Sequence, residues 1–312
     1  MIARVTVVGS LNMDLIARSP RIPRPGETII GGDFHTAPGG KGANQAVAAA
    51  RLGARVSMIG RVGRDAFAGP LLDNLSAAGV DHTFVIQDSE AATGVALIVV
   101  DDAGENSIVV ASGANMRLSP ADVDGAEAVI ADADALLLQL ESPLKTVIRA
   151  AEVARAHGVT VILNPAPARS LPAELLAMVD VLIPNESETS LLTGLPVSNQ
   201  AEAETAATAL RELGVGTVIL TLGERGALLA REEEAEQVPA FEVTPVDTTA
   251  AGDAFVGGFT VAMAGGQPLA EAVRWGNAAG ALATTKLGAQ PSLPTRQDLE
   301  ALLTTGTIGG DT

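Results

Sequence analysis

Cysteine and tyrosine are absent from this chain of 312 residues, which holds only six phenylalanines and one tryptophan. Without cysteine the protein cannot form disulfides, zinc–thiolate sites or a cysteine nucleophile. The histidines His35, His82 and His157 lie far apart and do not have the spacing of metal ligands. The chemistry of this chain must therefore rest on carboxylates, amides, hydroxyls and backbone groups.

Positive charge is also scarce. Lysine and arginine number 20 against 37 aspartates and glutamates, which gives a formal net charge of −17 at pH 7. A surface of this sign disfavours nucleic acid and anionic membranes as partners. An enzyme of this composition that used a nucleotide would have to build a local positive potential from backbone dipoles, metal ions and few cations, Lys41, Lys145 and Lys286 among them.

Long hydrophobic runs are missing as well. No apolar stretch approaches the roughly 20 residues that a membrane helix requires. Residues 1–9 predict a buried strand and lack the basic start, long apolar stretch and cleavage site of a signal peptide. We therefore expect a cytoplasmic protein that does not act at a membrane.

Short apolar segments alternate with longer amphipathic ones along most of the chain. This alternation predicts an α/β fold, doubly wound (Rossmann-like) around a mostly parallel sheet that helices cover on both faces. The predicted strands are residues 5–9, 56–59, 135–140, 159–164, 181–184 and 217–221. The predicted helices are residues 42–52, 66–78, 142–156, 186–193, 200–213, 252–264 and 269–285.

Two stretches interrupt this pattern. Residues 28–35 predict an edge strand with a bend, and residues 95–100 and 107–111 predict a hairpin. Segments at approximately 15–36 and 93–113 would then form a small inserted β-sheet lid over a site, or an antiparallel edge of the main sheet. We expect a single domain over residues 1–312 with a disordered tail at 304–312.

The most informative motif is Ala250-Ala251-Gly252-Asp253, at the start of a predicted helix. Backbone N–H groups at a helix start form an anion pocket. The carboxylate of Asp253 beside that pocket could take a proton from a hydroxyl that attacks a phosphoryl group. An aspartate at a helix start can also serve only as a cap.

Two further blocks suit the binding of a small molecule. Residues 38–45 place successive glycines before Lys41 and Asn44, so that backbone can approach a ligand closely; a tight turn before an alanine-rich helix is the alternative. Asn12 and Asp14 follow the first strand and, two positions apart, would face one side, as recognition of sugar hydroxyls requires. The blocks are neither a Walker A loop nor a Gly-x-Gly-x-x-Gly dinucleotide motif.

Three other motifs follow predicted helices or strands. Asn185 and Glu188 are spaced to share a helix start, where the carboxylate could hold waters of a magnesium ion or complete a capping box. The turn at residues 221–226 contains two glycines and could admit a nucleotide phosphate or ribose, although such turns commonly only join strands. Carbonyls of residues 287–292, together with Asp247, could surround a monovalent cation.

Eight short blocks carry a resemblance to a known family. They are Gly9-Ser10-x-Asn12-x-Asp14, Gly39-Gly40-Lys41-Gly42-Ala43-Asn44, Gln139-Leu140-Glu141, Asn164-Pro165-Ala166-Pro167, Pro184-Asn185-Glu186-x-Glu188, Thr221-Leu222-Gly223-x-x-Gly226, Asp247-Thr248-x-Ala250-Ala251-Gly252-Asp253 and Lys286-x-Gly288-Ala289-Gln290-Pro291-Ser292. In this order, from about residue 4 to about residue 303, they resemble the PfkB-type sugar kinases. The Asn-Pro-Ala-Pro and Gly-Ala-Gln-Pro-Ser blocks point to the members that phosphorylate ribose.

The resemblance implies transfer of a phosphoryl group from ATP to O5 of D-ribose, with Asp253 as general base and the backbone of Ala250, Ala251 and Gly252 as anion hole. The implied sugar-binding residues are Asn12, Asp14, Gly40, Lys41, Asn44, Glu141 and Asp253. The implied ATP-binding residues are Asn185, Thr221, Gly223, Glu224, Arg225, Gly226, Gly252 and Asn277. A monovalent cation, potassium, would be held by Asp247, Thr249, Ala283, Lys286, Gly288 and Ser292, and magnesium through water by Glu188. The β lid would form a homodimer.

Small departures from the family pattern leave rival functions open. Thr249 replaces a common aliphatic residue, Asn277 lies where the family varies, and Met13 could alter the shape of the sugar pocket. The nearest rival is a kinase of the same family that acts on 2-deoxyribose, a nucleoside or a ketohexose. A sugar-binding regulator without catalysis and a nicotinamide dehydrogenase are the others, and the missing dinucleotide motif argues against the last.

Overall fold

The computed structural model describes residues 2–232 and 234–306. The strands are β1 (Arg4–Val8), β2 (Asn12–Arg18), β3 (Phe34–Gly39), β4 (Arg55–Gly63), β5 (Val80–Asp88), β6 (Gly94–Val100), β7 (Asn106–Ala111), β8 (Ala135–Leu138), β9 (Thr160–Leu163), β10 (Val181–Leu182), β11 (Thr217–Thr221), β12 (Ala227–Arg231) and β13 (Glu234–Val238). The α-helices are α1 (Lys41–Arg51), α2 (Ala68–Ala77), α3 (Pro120–Gly125), α4 (Glu127–Ala131), α5 (Leu144–Ala156), α6 (Ala173–Leu176), α7 (Glu186–Thr193), α8 (Gln200–Glu212), α9 (Ala251–Ala264), α10 (Leu269–Thr284) and α11 (Arg296–Thr305).

The main sheet has nine strands in the order β13-β12-β11-β10-β9-β8-β1-β4-β5. The pairings from β11 to β5 are parallel, and β12 and β13 add an antiparallel hairpin. Val7 and Leu137 face one core with α1, α9 and α10, whereas Val8 and Leu138 face a second core with α5 and α8. Both faces of the sheet are therefore buried, which confirms the predicted doubly wound α/β fold.

A second sheet of four strands, in the order β3-β2-β6-β7, lies apart from the main one. The β2–β3 and β6–β7 pairings are antiparallel and the central β2–β6 pairing is parallel. The predicted hairpin is present as β6 and β7. The predicted edge strand at residues 28–35 is wrong in its extent, because residues 28–33 form no strand and β3 begins only at Phe34.

Other boundaries also differ from the sequence prediction. Strands β5 and β13 were not predicted, because polar residues interrupt their apolar pattern at the two edges of the sheet. The apolar strand β12 was not predicted either. Helix α11 continues through Thr305, so residues 304 and 305 of the predicted tail are helical, and residues 307–312 lie outside the described residues. Across the described ranges, no helix combines the length and apolar character needed to cross a bilayer.

Helices α1 and α9 pack at unusually short range, and this contact positions the site. A Cβ atom on Gly257 would lie 2.6 Å from Cβ of Ala48 and 3.1 Å from the backbone nitrogen of Ala49. Only glycine permits that approach, so the two helices meet backbone to backbone. The first turns of both helices, one turn away, are thereby brought into side-chain contact.

Candidate active site

The first turn of α9 presents free backbone N–H groups. Ala250, the residue before the helix, has a φ of 60°, in the left-handed region. The first hydrogen bond inside the helix runs from the N–H of Ala254 to the carbonyl of Ala250 at 2.8 Å. The N–H groups of Gly252 and Asp253 therefore have no carbonyl partner within the helix, and such groups can bind an anion.

This helix start lines a polar cavity of about 220 Å³. Lys41 and Glu188 line the same cavity from α1 and α7, and Asn164 lines it from the end of β9. The cavity thus brings together side chains that are separated by more than two hundred positions in the sequence.

The Asp253 carboxylate is almost fully buried, with 4% of the residue exposed. Asn44 Nδ2 donates to its Oδ2 at 2.9 Å, and Gln45 Nε2 donates to its Oδ1 at 3.0 Å. Both donors come from the first turn of α1. Each carboxylate oxygen keeps further acceptor capacity, so the group can still receive a proton from a ligand hydroxyl.

Lys41 supplies the positive charge of the site. The nearby Asp253 carboxylate raises the pKa of Lys41 most, burial lowers it, and Glu141 and Glu188 raise it further. The ammonium group is thus held in its charged form among three carboxylates. A fixed cation at this point can attract the negative charge of a phosphoryl group.

Glu141 joins the end of β8 to the first turn of α1. Its Oε2 accepts hydrogen bonds from Ser10 Oγ at 2.5 Å and from the backbone N–H of Lys41 at 3.1 Å. Gly40 lies between β3 and α1 with a φ of 88°. A Cβ there would lie 2.7 Å from the backbone nitrogen of Asn12, so only glycine allows the loop to pass so close to β2.

Asn12 and Asp14 both lie on β2 and are buried, so the prediction that they share one face agrees with the observed strand. Asn12 Oδ1 accepts a hydrogen bond from Asn115 Nδ2 at 2.7 Å. Burial, followed by repulsion from Glu141 and Asp253, raises the pKa of Asp14 to about 7. Asp14 therefore changes charge near neutral pH.

Asn185 and Glu188 form the predicted capping box at the start of α7. The backbone N–H of Asn185 donates to Glu188 Oε2 at 2.9 Å, and the N–H of Glu188 donates to Asn185 Oδ1 at 2.8 Å. Burial raises the pKa of Glu188, the Asn185 hydrogen bond and Lys41 lower it, and Asp253 raises it. The cap fixes the carboxylate at the cavity wall, so the structural and the metal-linked interpretations are compatible.

A wide groove of about 1130 Å³ opens on the other side of the helix start. The predicted nucleotide-binding residues line it: Asn185, Thr221, Gly223, Glu224, Arg225, Gly226, Gly252 and Asn277. A 3-10 turn at Gly223–Arg225 joins β11 to β12, so the motif is both a strand-to-strand turn and a groove wall. Asn277 Nδ2 donates to the carbonyls of Val238 and Pro239 at 3.1 and 3.0 Å.

Two loops meet at Asp247. Its Oδ1 accepts from the N–H and Oγ1 of Thr249 at 2.9 and 2.6 Å, and its Oδ2 accepts from the N–H of Gly288 at 2.8 Å. Burial raises the pKa of Asp247, but the hydrogen bonds from Thr249 and Gly288 outweigh it, so that the pKa is lowered overall. The Ser292 hydroxyl instead donates to the carbonyl of Ala289 at 2.7 Å.

Sequence reasoning missed four buried amides around these residues. Gln45, Gln139 and Asn164 connect to Asp253, and Asn115 holds Asn12. Gln45 directly follows Asn44, and Gln139 and Asn164 lie within blocks that carried the family resemblance. Their location in or beside these motifs was the signal in the sequence that could have identified them. The contacts themselves depend on the tertiary fold.

The site combines a buried carboxylate and free helix N–H groups at the boundary between a small polar pocket and a larger groove. Such an arrangement is that of a kinase that transfers a phosphoryl group to a small hydroxyl compound. Over residues 2–296 the sequence matches the pfkB family of carbohydrate kinases, and the chain belongs to this family.

Known relatives agree in length and fold. A ribokinase of Haemophilus influenzae is 46% identical over 294 residues, which cover 94% of this chain and 96% of the relative. A deoxyribokinase of Salmonella typhi is 43% identical over 256 residues, which cover 82% and 84% of the two chains. The solved structure of Arabidopsis thaliana ribokinase complexed with ribose and ATP has a TM-score of 0.90 at 36% identity, covering 97% of this chain and 99% of its own.

Proposed function

We propose that the protein phosphorylates D-ribose at O5 with ATP. The observation that carries this proposal is the position of the α9 start: Gly252 lines both the small pocket and the wide groove, and Asp253 lines the pocket. An acceptor hydroxyl in the pocket and a nucleotide in the groove would meet there. The ribokinase relatives supply the identity of the sugar.

In this mechanism Asp253 is the general base. As O5 of ribose attacks the γ-phosphorus, the new O–P bond forms, the bond to the β-phosphate oxygen breaks, and the O5 proton passes to Asp253. The N–H groups of Gly252 and Asp253, with Ala250 setting their direction, would stabilise the charge on the phosphoryl oxygens, whereas the N–H of Ala251 donates to the carbonyl of Thr248 at 3.2 Å. Lys41 adds a positive charge at the same place.

The sugar would be oriented by polar groups from three elements. The residues assigned to it are Asn12, Asp14, Gly40, Lys41, Asn44 and Glu141, together with Asp253. Acceptors predominate among the side chains, which suits a ligand that presents several hydroxyl donors. Holding the sugar in this way places one hydroxyl against the base, and positioning of that kind lowers the barrier substantially.

Magnesium fits this site through water and phosphate rather than through a protein cage. The described residues contain no group of three or more His, Asp or Glu side chains placed to hold a metal ion. Glu188 lines the pocket and keeps acceptor capacity beside its cap, so it would hold a water of a phosphate-bound ion. When bound, magnesium would supply charge neutralisation of the phosphates.

Potassium is proposed for the loops joined by Asp247. The residues assigned to it are Asp247, Thr249, Ala283, Lys286, Gly288 and Ser292, several through backbone carbonyls. The hydrogen bonds from Thr249 and Gly288 to Asp247 support the proposal, because they bring the two loops together next to the turn that leads into α9. A cation there would steady the anion hole.

We also propose a cytoplasmic homodimer formed through the four-stranded sheet. Apolar side chains on one face of this sheet are exposed, including Phe34, Leu97 and Val109. Covering such a surface is favourable. Sedimentation analysis of the wild type against Val109→Lys tests this: the variant should sediment as a monomer, and an unchanged dimer would exclude this surface.

The test of the function is an ADP-release assay with ATP and magnesium on ribose, 2-deoxyribose, fructose and adenosine, with and without potassium. Ribose is expected to be turned over fastest, and potassium to raise the rate. The deoxyribokinase relative makes 2-deoxyribose the second candidate. Preference for it would keep the family chemistry and overturn the assignment of the sugar. Absence of turnover on every sugar would overturn the kinase proposal.

A further inference from the structure

A chain of buried amides ends on the Asp253 carboxylate. Gln45 is fully buried, and its Nε2 donates to Asp253 Oδ1 at 3.0 Å and to Asn164 Oδ1 at 3.1 Å. Its Oε1 accepts from Gln139 Nε2 at 2.6 Å. Both N–H donors and the amide oxygen of this side chain are therefore hydrogen-bonded inside the protein.

The orientation of these buried amide groups is fixed by a main-chain carbonyl. Asn164 Nδ2 donates to the carbonyl of Ile183 at 2.9 Å, and a carbonyl can only accept. Asn164 must therefore present its oxygen to Gln45, and Gln45 must present its nitrogen to both Asn164 and Asp253. Reversing the Gln45 amide would set its oxygen against two acceptors, which is costly in a buried place.

We infer that Gln45 is a positioning residue for the proposed general base: it fixes the rotation of the Asp253 carboxylate and holds that group as a hydrogen-bond acceptor. Asn44 holds the other oxygen at 2.9 Å, so the carboxylate plane is set from two sides. This inference rests on the proposed function, because it matters for turnover only if Asp253 is the base.

Charged groups from other elements also face this carboxylate. They are Lys41 of α1, Asp14 of β2 and Glu188 of α7, and Glu141 after β8 acts in turn on Lys41 and Asp14. None of them is changed by substitution of Gln45. A ratio of variant to wild-type rates at each pH therefore removes their common contribution and leaves the effect of residue 45.

Two substitutions separate positioning from packing. In Gln45→Leu the donor is removed at similar volume, and we expect kcat to fall about 10- to 100-fold at every pH, with the KM for ribose and for ATP nearly unchanged. In Gln45→Glu the new side chain can still donate a hydrogen bond to Asp253 while it is protonated. Once it is ionised, it repels the Asp253 carboxylate. The ratio of its kcat to that of the wild type should fall about tenfold or more from about pH 6 to about pH 8.5.

Thr146→Val is the matched control, because it also removes a buried hydrogen bond, from Thr146 Oγ1 to the carbonyl of Leu118 at 2.7 Å in α5. It should lower the melting temperature and leave the pH profile as in the wild type. A kcat within twofold of the wild type in Gln45→Leu, or a constant ratio in Gln45→Glu, would overturn the inference.

Asp253→Asn, measured in parallel, distinguishes the two proposals. If Asp253→Asn is inactive and the Gln45 variants behave as the wild type, only the positioning role fails. If Asp253→Asn turns over normally, or the wild type does not phosphorylate any sugar, the proposed base fails and the positioning role fails with it.

Discussion

Asn44 Nδ2 and Asp253 Oδ2 lie 2.9 Å apart, which joins the first turn of α1 to the first turn of α9. One residue belongs to the loop assigned to the sugar and the other to the turn assigned to phosphoryl transfer. Because both are buried, this hydrogen bond is shielded from water and stays directional. The loop assigned to the sugar and the turn assigned to phosphoryl transfer are therefore linked directly.

Replacing Asp253 by asparagine should abolish most turnover while keeping the size of the side chain. A positioned general base contributes roughly 10²- to 10⁴-fold, so kcat should fall by that order. The KM for ribose and for ATP should change far less, because the other residues assigned to the two substrates are unchanged. Steady-state kinetics with a melting curve as a folding control checks this, and near-normal turnover would refute the base.

Asp14 should make stability and sugar binding depend on pH near neutrality. Burial raises its pKa to about 7, so between about pH 4 and about pH 7 the folded state binds its proton more tightly than the unfolded state does. The free energy of unfolding should therefore fall as pH rises through this interval. In Asp14→Asn that fall should disappear, as measured by urea unfolding at several pH values.

Asp134 is the matched control, because its pKa is lowered whereas that of Asp14 is raised. The hydrogen bond from Arg4 is the main reason that the pKa of Asp134 is lowered, so Asp134 stabilises the fold above its unfolded pKa. Asp134→Asn should therefore lower the free energy of unfolding at neutral pH and leave it unchanged in strong acid.

The KM of the wild type for ribose should fall as pH rises through about 7, because ionised Asp14 is the better hydrogen-bond acceptor. A KM for ribose that does not depend on pH would contradict the role in sugar binding assigned to Asp14.

The close contact of α1 and α9 predicts an effect of Gly257→Ala. The added methyl group would lie 2.6 Å from Cβ of Ala48, so the helices must separate and the fold should lose about 1–3 kcal/mol. The same movement should lengthen the hydrogen bonds from Asn44 and Gln45 to Asp253 and lower kcat. Chemical unfolding and kinetics measure the two effects.

Gly69→Ala serves as the comparison, since a Cβ there meets no atom within 4 Å. Gly69 lies in α2, where alanine is the better helix former by about 1 kcal/mol. This variant should keep wild-type kcat and equal or exceed its stability. Equal behaviour of the two glycine variants would show that the α1–α9 distance does not set the geometry of the site.

Substitution of Asp247 by alanine should remove the response to potassium. Without this carboxylate the hydrogen bonds to Thr249 and Gly288 are lost, and the two loops lose their link. We expect the ratio of kcat with potassium to kcat with tetramethylammonium to approach one, while the KM for ribose stays close to the wild-type value. A preserved potassium response would place the cation elsewhere.

Much of the fold could be predicted from the sequence because its central strands are continuous apolar runs. Residues 135–138 and 217–221 were assigned correctly for that reason. The β12–β13 hairpin was missed because Glu234, Glu236 and Gln237 interrupt the apolar pattern at the edge of the sheet.

The site was predictable to the extent that local motifs describe it. Asn185 and Glu188, three positions apart, formed the predicted capping box. The hydrogen bond from Gln45 to Asp253 spans 208 positions. No local pattern encodes such a contact, since it depends on how α1 and α9 pack.

Ala250 has a left-handed conformation, with a φ of 60°, that lowers the stability of the fold and keeps the turn before α9 in one direction. An L-amino acid side chain in that region costs roughly 1–2 kcal/mol, which the rest of the fold has to offset. Glycine would relieve this strain and would also let the turn sample other directions. Selection for thermal stability alone would therefore favour glycine at residue 250, whereas selection for rapid turnover would retain the strained alanine.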